Sequence, residues 1–272
     1  MTLRPVLIAL TCLAFSGAAR AADAPPVTSP EPASGWIVTM GANLSAAPRY
    51  DGAALYDVYA LPSFSIRRAD EPAGFSAPDD GFDFTLFGNE RFAIGPVANL
   101  RGGRYRSSNH DLNGLRDVPW TIEGGVFAEF WPVLDRLRMR LEVRHGFRGR
   151  ADGFVADLSS DWVQRFGRFT LSGGPRASFA DSDYMDANFG VLPSEAALNP
   201  RVYAYDPGPG LKSVGWETAL SYRWSDAWTT TGYIRYDRLV RDAAASPIVR
   251  RMGSRDQLTV GTEITYSFAI GR

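Results

Sequence analysis

The densest run of ionisable side chains is Arg136, Arg138, Arg140, Glu142 and Arg144, one at every second position. Alternate residues of a β-strand point to the same side, so this spacing lines one strand face with guanidinium groups. On the wall of an open pore such a row attracts anions. In a narrow, filled interior it needs carboxylates opposite, because a buried charge is stable only when paired. Glu123, Glu129, Glu217 and Glu263 stand in the same phase on other segments. The rough match of the two signs favours a structural plug over an anion-attracting wall.

Other chemistry is scarce. The histidines are His110, in a polar stretch, and His145, on an apolar face. A lipid-facing Ser/His pair would want serine two residues beyond His145, where Phe147 stands. A nucleophile without a positioned base is inert, so His145 reads as a residue of a membrane boundary. Zinc-type ligation lacks its Cys and His. Asp79-Asp80 and Asp181-x-Asp183 could hold calcium weakly, and read better as solvated turns. No phosphate-binding glycine loop is present. The expectation is a non-enzymatic protein with no cofactor and no metal.

Residues 1–21, MTLRPVLIALTCLAFSGAARA, combine a basic start at Arg4, an apolar run from Val6 to Phe15 and a small-x-small end. That is the pattern of a cleaved secretory signal peptide. Cys12 lies inside it, so the mature chain would enter an oxidising compartment without a disulfide. Removing Arg4 and Arg20 from 29 basic residues leaves 27 against 30 acidic ones, a net of −3. No basic excess points to nucleic acid. Residues 22–34, ADAPPVTSPEPAS, form a Pro-rich lead-in, expected to be periplasmic.

What must position the charged row is a set of strands. In the closing stretch DQLTVGTEITYSFAIGR, Leu258, Val260, Ile264, Tyr266 and Phe268 fall on even positions among polar neighbours. Phe92–Leu100, Trp120–Phe130, Leu137–Phe147, Phe169–Phe179, Val214–Trp224 and Trp228–Tyr236 repeat this period of two. The forty positions of these seven series hold no Asp, Glu, Lys or Arg, in a chain that is 22% charged. Aromatic residues bracket the series, as Trp120 and Phe130 do. A charge-free strand face between aromatic ends is the outer wall of a membrane barrel, and about ten residues suit a tilted crossing.

Short turns near 88–90, 132–135, 166–168 and 225–227 alternate with long polar connections at 107–118, 181–211 and 239–254. Such asymmetry is that of outer-membrane barrels. Weaker strand segments at 35–46, 55–67, 82–87 and 154–166 bring the count to eleven. Closure with both ends on one side needs an even number, so the missing strand is expected in 70–81, before Pro78-Asp79-Asp80-Gly81. The expected fold is all-β: one antiparallel up-and-down barrel of about twelve strands over 35–272, with ten as the fallback.

Several motifs carry a resemblance. Pro48-x-Tyr50-x-Gly52, Leu61-Pro62, Phe189-Gly190-Val191, Leu239 to Pro247, Gly253-Ser254-x-x-Gln257 and Tyr266-Ser267-Phe268 are similar to the MipA/OmpV family of outer-membrane proteins. The most specific piece is Asp242, Ala243, Ala244, Ser246 and Pro247, which reads equally as a partner-recognition segment or as a short helical turn folded over the barrel mouth. Gly261, Tyr266 and Phe268 mark the terminal strand that the barrel-assembly machinery would read. The resemblance implies residence in the outer-membrane lipid. It also implies a scaffold role, linking a lytic transglycosylase to a penicillin-binding protein. The competing class is a small-solute channel, anion-preferring where the arginine row lines it.

Overall fold

The computed structural model describes residues 35–70, 74–147 and 153–271. The expected signal peptide and the lead-in 22–34 lie outside the described residues. Ten long strands form the wall: β1 (Trp36–Pro48), β2 (Tyr56–Arg68), β5 (Phe92–Arg101), β6 (Thr121–Val133), β7 (Leu137–Gly146), β8 (Phe154–Phe166), β9 (Phe169–Ala180), β10 (Gly210–Arg223), β11 (Trp228–Leu239) and β12 (Asp256–Ile270). Two short strands, β3 (Phe82–Asp83) and β4 (Phe87–Gly88), lie along β5. All pairings are antiparallel, in the order β2-β1-β12-β11-β10-β9-β8-β7-β6-β5-β3. The first strand meets the last, from Trp36 opposite Ile270 to Ala46 opposite Val260.

Period two decides which side chain faces which medium. The outward series are exposed along their length, as at Ile122, Val126, Leu141, Trp216, Ile234 and Ile264. Lipid, not a protein core, covers these side chains. At the end where β1 starts, Phe169 packs 4.7 Å from Tyr222 and Trp228 4.8 Å from Tyr266, ring centre to ring centre. At the opposite end stand Trp120, Phe154, Phe179 and Tyr236. His145 belongs to this second aromatic rim, 4.5 Å from the Phe154 ring and 6.0 Å from Phe147.

The twelfth strand is not where the sequence suggests. Residues 74–81 form no strand; the count reaches twelve because the 82–88 stretch is broken into β3 and β4. Between them, Phe84 and Leu86 donate backbone N–H bonds to the Pro96 and Ile94 carbonyls at 3.2 and 3.0 Å. One irregular strand position results, the eleventh around the wall. With an odd number of positions the two end members, β2 and the 82–88 stretch, run parallel, and no pairing joins them among the described residues. The reason lies in Asp79 and Asp80, whose charges are excluded from a lipid-facing strand and find arginines inside the lumen.

The long connections gather at one end as a cap. It contains the 3-10 turns Arg106–Ser108 and His110–Leu112 and four short helices, α1 (Ser182–Phe189), α2 (Pro193–Leu198), α3 (Arg241–Ala245) and α4 (Pro247–Met252). Asp181 starts α1 by accepting from the Tyr184 N–H at 2.9 Å, and Ser246 starts α4 by accepting from the Ile248 N–H at 3.3 Å. Side-chain oxygens at these positions satisfy amides that the helix itself leaves unbonded. Apolar clusters sit in the cap and at its junction with the wall. One joins Tyr50, Leu112, Leu115, Val202 and Ile248; the other joins Val155, Met185, Phe189, Leu239 and Ala243.

Candidate functional site

Strand β7 runs through the centre of the site. Arg138, Arg140, Glu142 and Arg144 point into the lumen and are buried. Arg138 donates to Asp161 on β8 at 2.7 Å and to both oxygens of Asp80 at 2.6 and 3.0 Å. Arg140 meets Asp83 at 2.5 Å and Glu142 at 2.8 Å. Arg144 pairs with Glu123 at 3.2 Å, and with Glu142 and Asp157. From β9, Arg176 grips both oxygens of Asp79, at 2.8 and 3.1 Å, and reaches Asp161 at 2.8 Å. Asp79 also accepts from Arg235 at 2.9 Å. Two-pronged contacts of this kind are the strongest and most directional ion pairs.

The expected pairing of the row with Glu123 and Glu129 is present, with three corrections, the first being that Glu217 meets Arg176 of β9 at 3.3 Å instead of the row. Arg136 lies exposed in the turn before β7 and bonds to Gln164, so it does not join the lumen row. Glu263 is half-buried on β12 and takes no part in these ion pairs. The partners that the sequence conceals are Asp79, Asp80 and Asp161. Asp79 and Asp80 are not a solvated turn: they tie the inner segment to the lumen arginines of β7, β9 and β11. Their side chains are 14% and 5% exposed.

Above this network lies a cavity of about 570 Å³, lined on its upper side by Tyr50, Asp51, Tyr184 and Asn188 of the cap. At its upper edge the Lys212 ammonium sits 3.0 Å from Asp51 and 3.1 Å from the Tyr184 hydroxyl, which itself donates to Asp51 at 3.0 Å. The Arg101 guanidinium covers the Tyr184 ring at 4.4 Å. Burial, reinforced by the Asp51 charge, pushes the Tyr184 hydroxyl up to about 12. Burial raises the Asp51 carboxyl, but Lys212 and the Tyr184 hydroxyl more than offset this and hold it below the ordinary range. Loop, helix and wall are thus joined at one point. The only lysine of the chain was the available signal for it.

The motif residues converge on the cap. Gly52 donates its N–H to Gln257 Oε1 at 3.0 Å, and Gln257 Nε2 donates to the Ala53 carbonyl at 3.2 Å. Gly52 has φ +90°, and a Cβ there would stand 2.6 Å from Val249, so both backbone conformation and space require glycine. Ser246 donates to the Phe189 carbonyl at 2.7 Å. Asp242 accepts from the Gly208 N–H at 2.8 Å, Ala243 is buried, Ala244 packs beside it, and Pro247 is buried. The Asp242–Pro247 run thus forms α3 and the start of α4 and helps close the mouth. On β12, Gly261 lies under the Tyr233 ring, while Tyr266 and Phe268 stack at 5.9 Å on the outer wall.

A wall apolar outside, ion-paired inside and rimmed with aromatics defines an outer-membrane β-barrel. The chain belongs to the family of MltA-interacting protein MipA, which matches residues 40–268. The outer membrane protein Omp26La of Vibrio anguillarum is 27% identical over 86% of both chains. The outer membrane protein OmpV of Vibrio cholerae is 26% identical over 71% of this chain and 74% of its own. A solved outer-membrane channel from Pseudomonas putida F1 overlaps 88% of this chain and 97% of its own, at 12% identity and a TM-score of 0.39. So loose a likeness carries no functional argument.

Proposed function

We propose that this outer-membrane barrel is a non-enzymatic anchor that holds cell-wall enzymes against the membrane. The observation that carries this reading is the ion-paired lumen. Asp79 and Asp80 cross-link β7, β9 and β11 on one side of the cavity, and cap residues line the other. A lumen cross-linked in this way favours a barrel that serves by what it holds at its surface. The family description, an MltA-interacting protein, names MltA as a partner, and the motif resemblance implies that such a partner is a lytic transglycosylase, linked to a penicillin-binding protein. The periplasmic turns are short, so the contact surface is small, and the Pro-rich lead-in 22–34 is the natural docking peptide.

The test is co-purification of the tagged full chain in mild detergent. A transglycosylase or penicillin-binding protein should be retained with it, and lost on deletion of 22–34. A bare barrel from cells with normal wall synthesis would remove the proposal. The competing small-solute channel is favoured by the cavity of about 570 Å³. Large, steady conductance steps from the unaltered protein in planar bilayers would promote it.

A further inference from the structure

The arginines on the outside of the cap fall into two groups. Arg106 meets Asp117 at 3.3 Å, Arg116 meets Asp186 at 3.0 Å and Arg238 meets Asp256 at 2.7 Å, while Arg201 pairs with Asp111. Arg241, Arg250, Arg251 and Arg255 are exposed and take no ion pair among the described residues. All four come from one stretch, the connection between β11 and β12. Over 238–256 five arginines stand against two carboxylates, a net of +3, in a chain whose net charge is −1. The connection 181–206 is the opposite case, with five carboxylates and one arginine. Both acids of the basic stretch are already engaged. Asp256 also accepts from the Tyr236 hydroxyl at 2.6 Å, and Asp242 accepts from the Gly208 N–H at 2.8 Å.

The fold holds these free cations in place. α4 buries Pro247, Ile248, Val249 and Met252, so Arg250 and Arg251 stand on its outer side. The Arg251 guanidinium lies 5.2 Å from the centre of the Tyr203 ring. The base of the connection is pinned where the Leu239 N–H donates to the Arg255 carbonyl at 2.8 Å and the Ser254 N–H to the Gly52 carbonyl at 2.9 Å. Arg241 has φ +49°, a left-handed backbone that disfavours a side chain. An exposed arginine kept there at a conformational cost points to a task outside the fold. The level in the membrane is also fixed. Tyr236 of the outer aromatic rim lies two residues before Arg238 on the same strand face, and Arg255 directly precedes β12. Aromatic rims mark the boundary between acyl chains and head groups, so the connection starts and ends at head-group height. On the side of the long connections, the outer leaflet of a Gram-negative outer membrane is a glycolipid that carries phosphate monoesters.

We propose that the β11–β12 connection binds the phosphate groups of this outer-leaflet glycolipid, through Arg250 and Arg251 on α4 and Arg241 and Arg255 at the two ends. A guanidinium takes two phosphate oxygens with parallel bonds, and basic clusters at head-group height are the usual docking surface for anionic lipid. The run from Asp242 to Pro247 then has a defined part: it fixes α3 and α4 to the cap and so sets where the arginines stand. The inference goes beyond the anchoring role and does not depend on it.

The test uses the full chain in non-ionic detergent, with bisphosphorylated lipid A, monophosphorylated lipid A and phosphatidylglycerol as probes, read by native mass spectrometry and equilibrium titration. The bisphosphorylated form should bind tightest, several-fold ahead of the monophosphorylated form and further ahead of phosphatidylglycerol. Arg250→Gln combined with Arg251→Gln should lose about tenfold or more, while keeping the gel shift on heating that marks a folded barrel. Arg241→Gly, which removes a charge and relieves the left-handed backbone, should weaken binding several-fold without lowering stability. Arg106→Gln, at an ion-paired arginine of the same cap, should leave the affinity unchanged. Equal binding of the two lipid A forms, or undiminished binding by the double variant, would overturn the proposal. So would displacement of lipid A by inorganic phosphate at matched ionic strength, or tighter binding of a heparin fragment, which would assign the surface to a free anion or a soluble polyanion.

Discussion

In the lumen, Arg138 is fully enclosed and reaches Asp80 and Asp161 through four hydrogen bonds. In the cap, Phe189, Ala243 and Ile248 are just as enclosed, but by other apolar side chains. The contrast follows from where water is. Outside the barrel the apolar face already sits in lipid, so the interior of a strand wall is left with its polar alternates. Those alternates can fill a narrow lumen only by neutralising one another. The cap stands beyond the bilayer and folds in water, where apolar burial is the driving force. One half of the interior is therefore held by directional pairs that fix geometry, and the other by contacts that tolerate repacking.

The sharpest way to break this contrast is to remove one lumen charge. Arg138→Met leaves Asp80 and Asp161 enclosed without one of their cations, and should destabilise the barrel by roughly 3–5 kcal/mol. Arg138→Lys should recover only part of that, since one ammonium cannot make both forked contacts. Unfolding by urea in lipid vesicles gives the measurement; a loss under about 1 kcal/mol would mean that the network is slack. Next in size is the outer wall. Val126→Arg places a guanidinium where lipid now touches an exposed valine and should cost roughly 2–4 kcal/mol near the midplane in the same assay. A third substitution moves to the cap. Gln257→Leu strands the Gly52 N–H and the Ala53 carbonyl, at a cost of about 1–3 kcal/mol. Its loss should appear as faster protease cleavage of the cap, with the heat-shifted band of the barrel unchanged.

The wall was legible because strand periodicity is local: alternate residues of Leu137–Phe147 meet lipid, and their neighbours meet charge. The lumen was half legible. The arginine row and Glu123, Glu129 and Glu217 share a strand phase, whereas Asp79 and Asp80 lie in no strand and reach Arg138, Arg176 and Arg235 only through the path of the chain. The even count expected of a bacterial barrel hid that path by suggesting a strand over 70–81. The cap was least legible, since its helices run to eight residues or fewer and its clusters draw on positions from Tyr50 to Met252. What disclosed itself did so through motifs, above all the run from Asp242 to Pro247. Leu61-Pro62 lies on β2, whose far edge takes no strand pairing among the described residues.

The smallest effect lies where charge and cap meet. Asp51 joins Lys212 to the Tyr184 hydroxyl, and so ties α1 to the wall. Its carboxyl is held below the ordinary range in the folded protein. A depressed carboxylate contributes stability that is fully present above its unfolded value and lost as pH falls through the folded one. The Asp51 side chain is 42% exposed, so solvent screens the pair and the contribution is under about 1 kcal/mol. Amide hydrogen exchange over 182–189, corrected for intrinsic rates, should therefore show modestly weaker protection as pH drops below about 4. Asp51→Asn should show that weaker protection already at pH 7, with little further change on acidification. If the variant keeps the full pH response, the carboxylates of the lumen, not the Asp51 junction, govern how the cap is held.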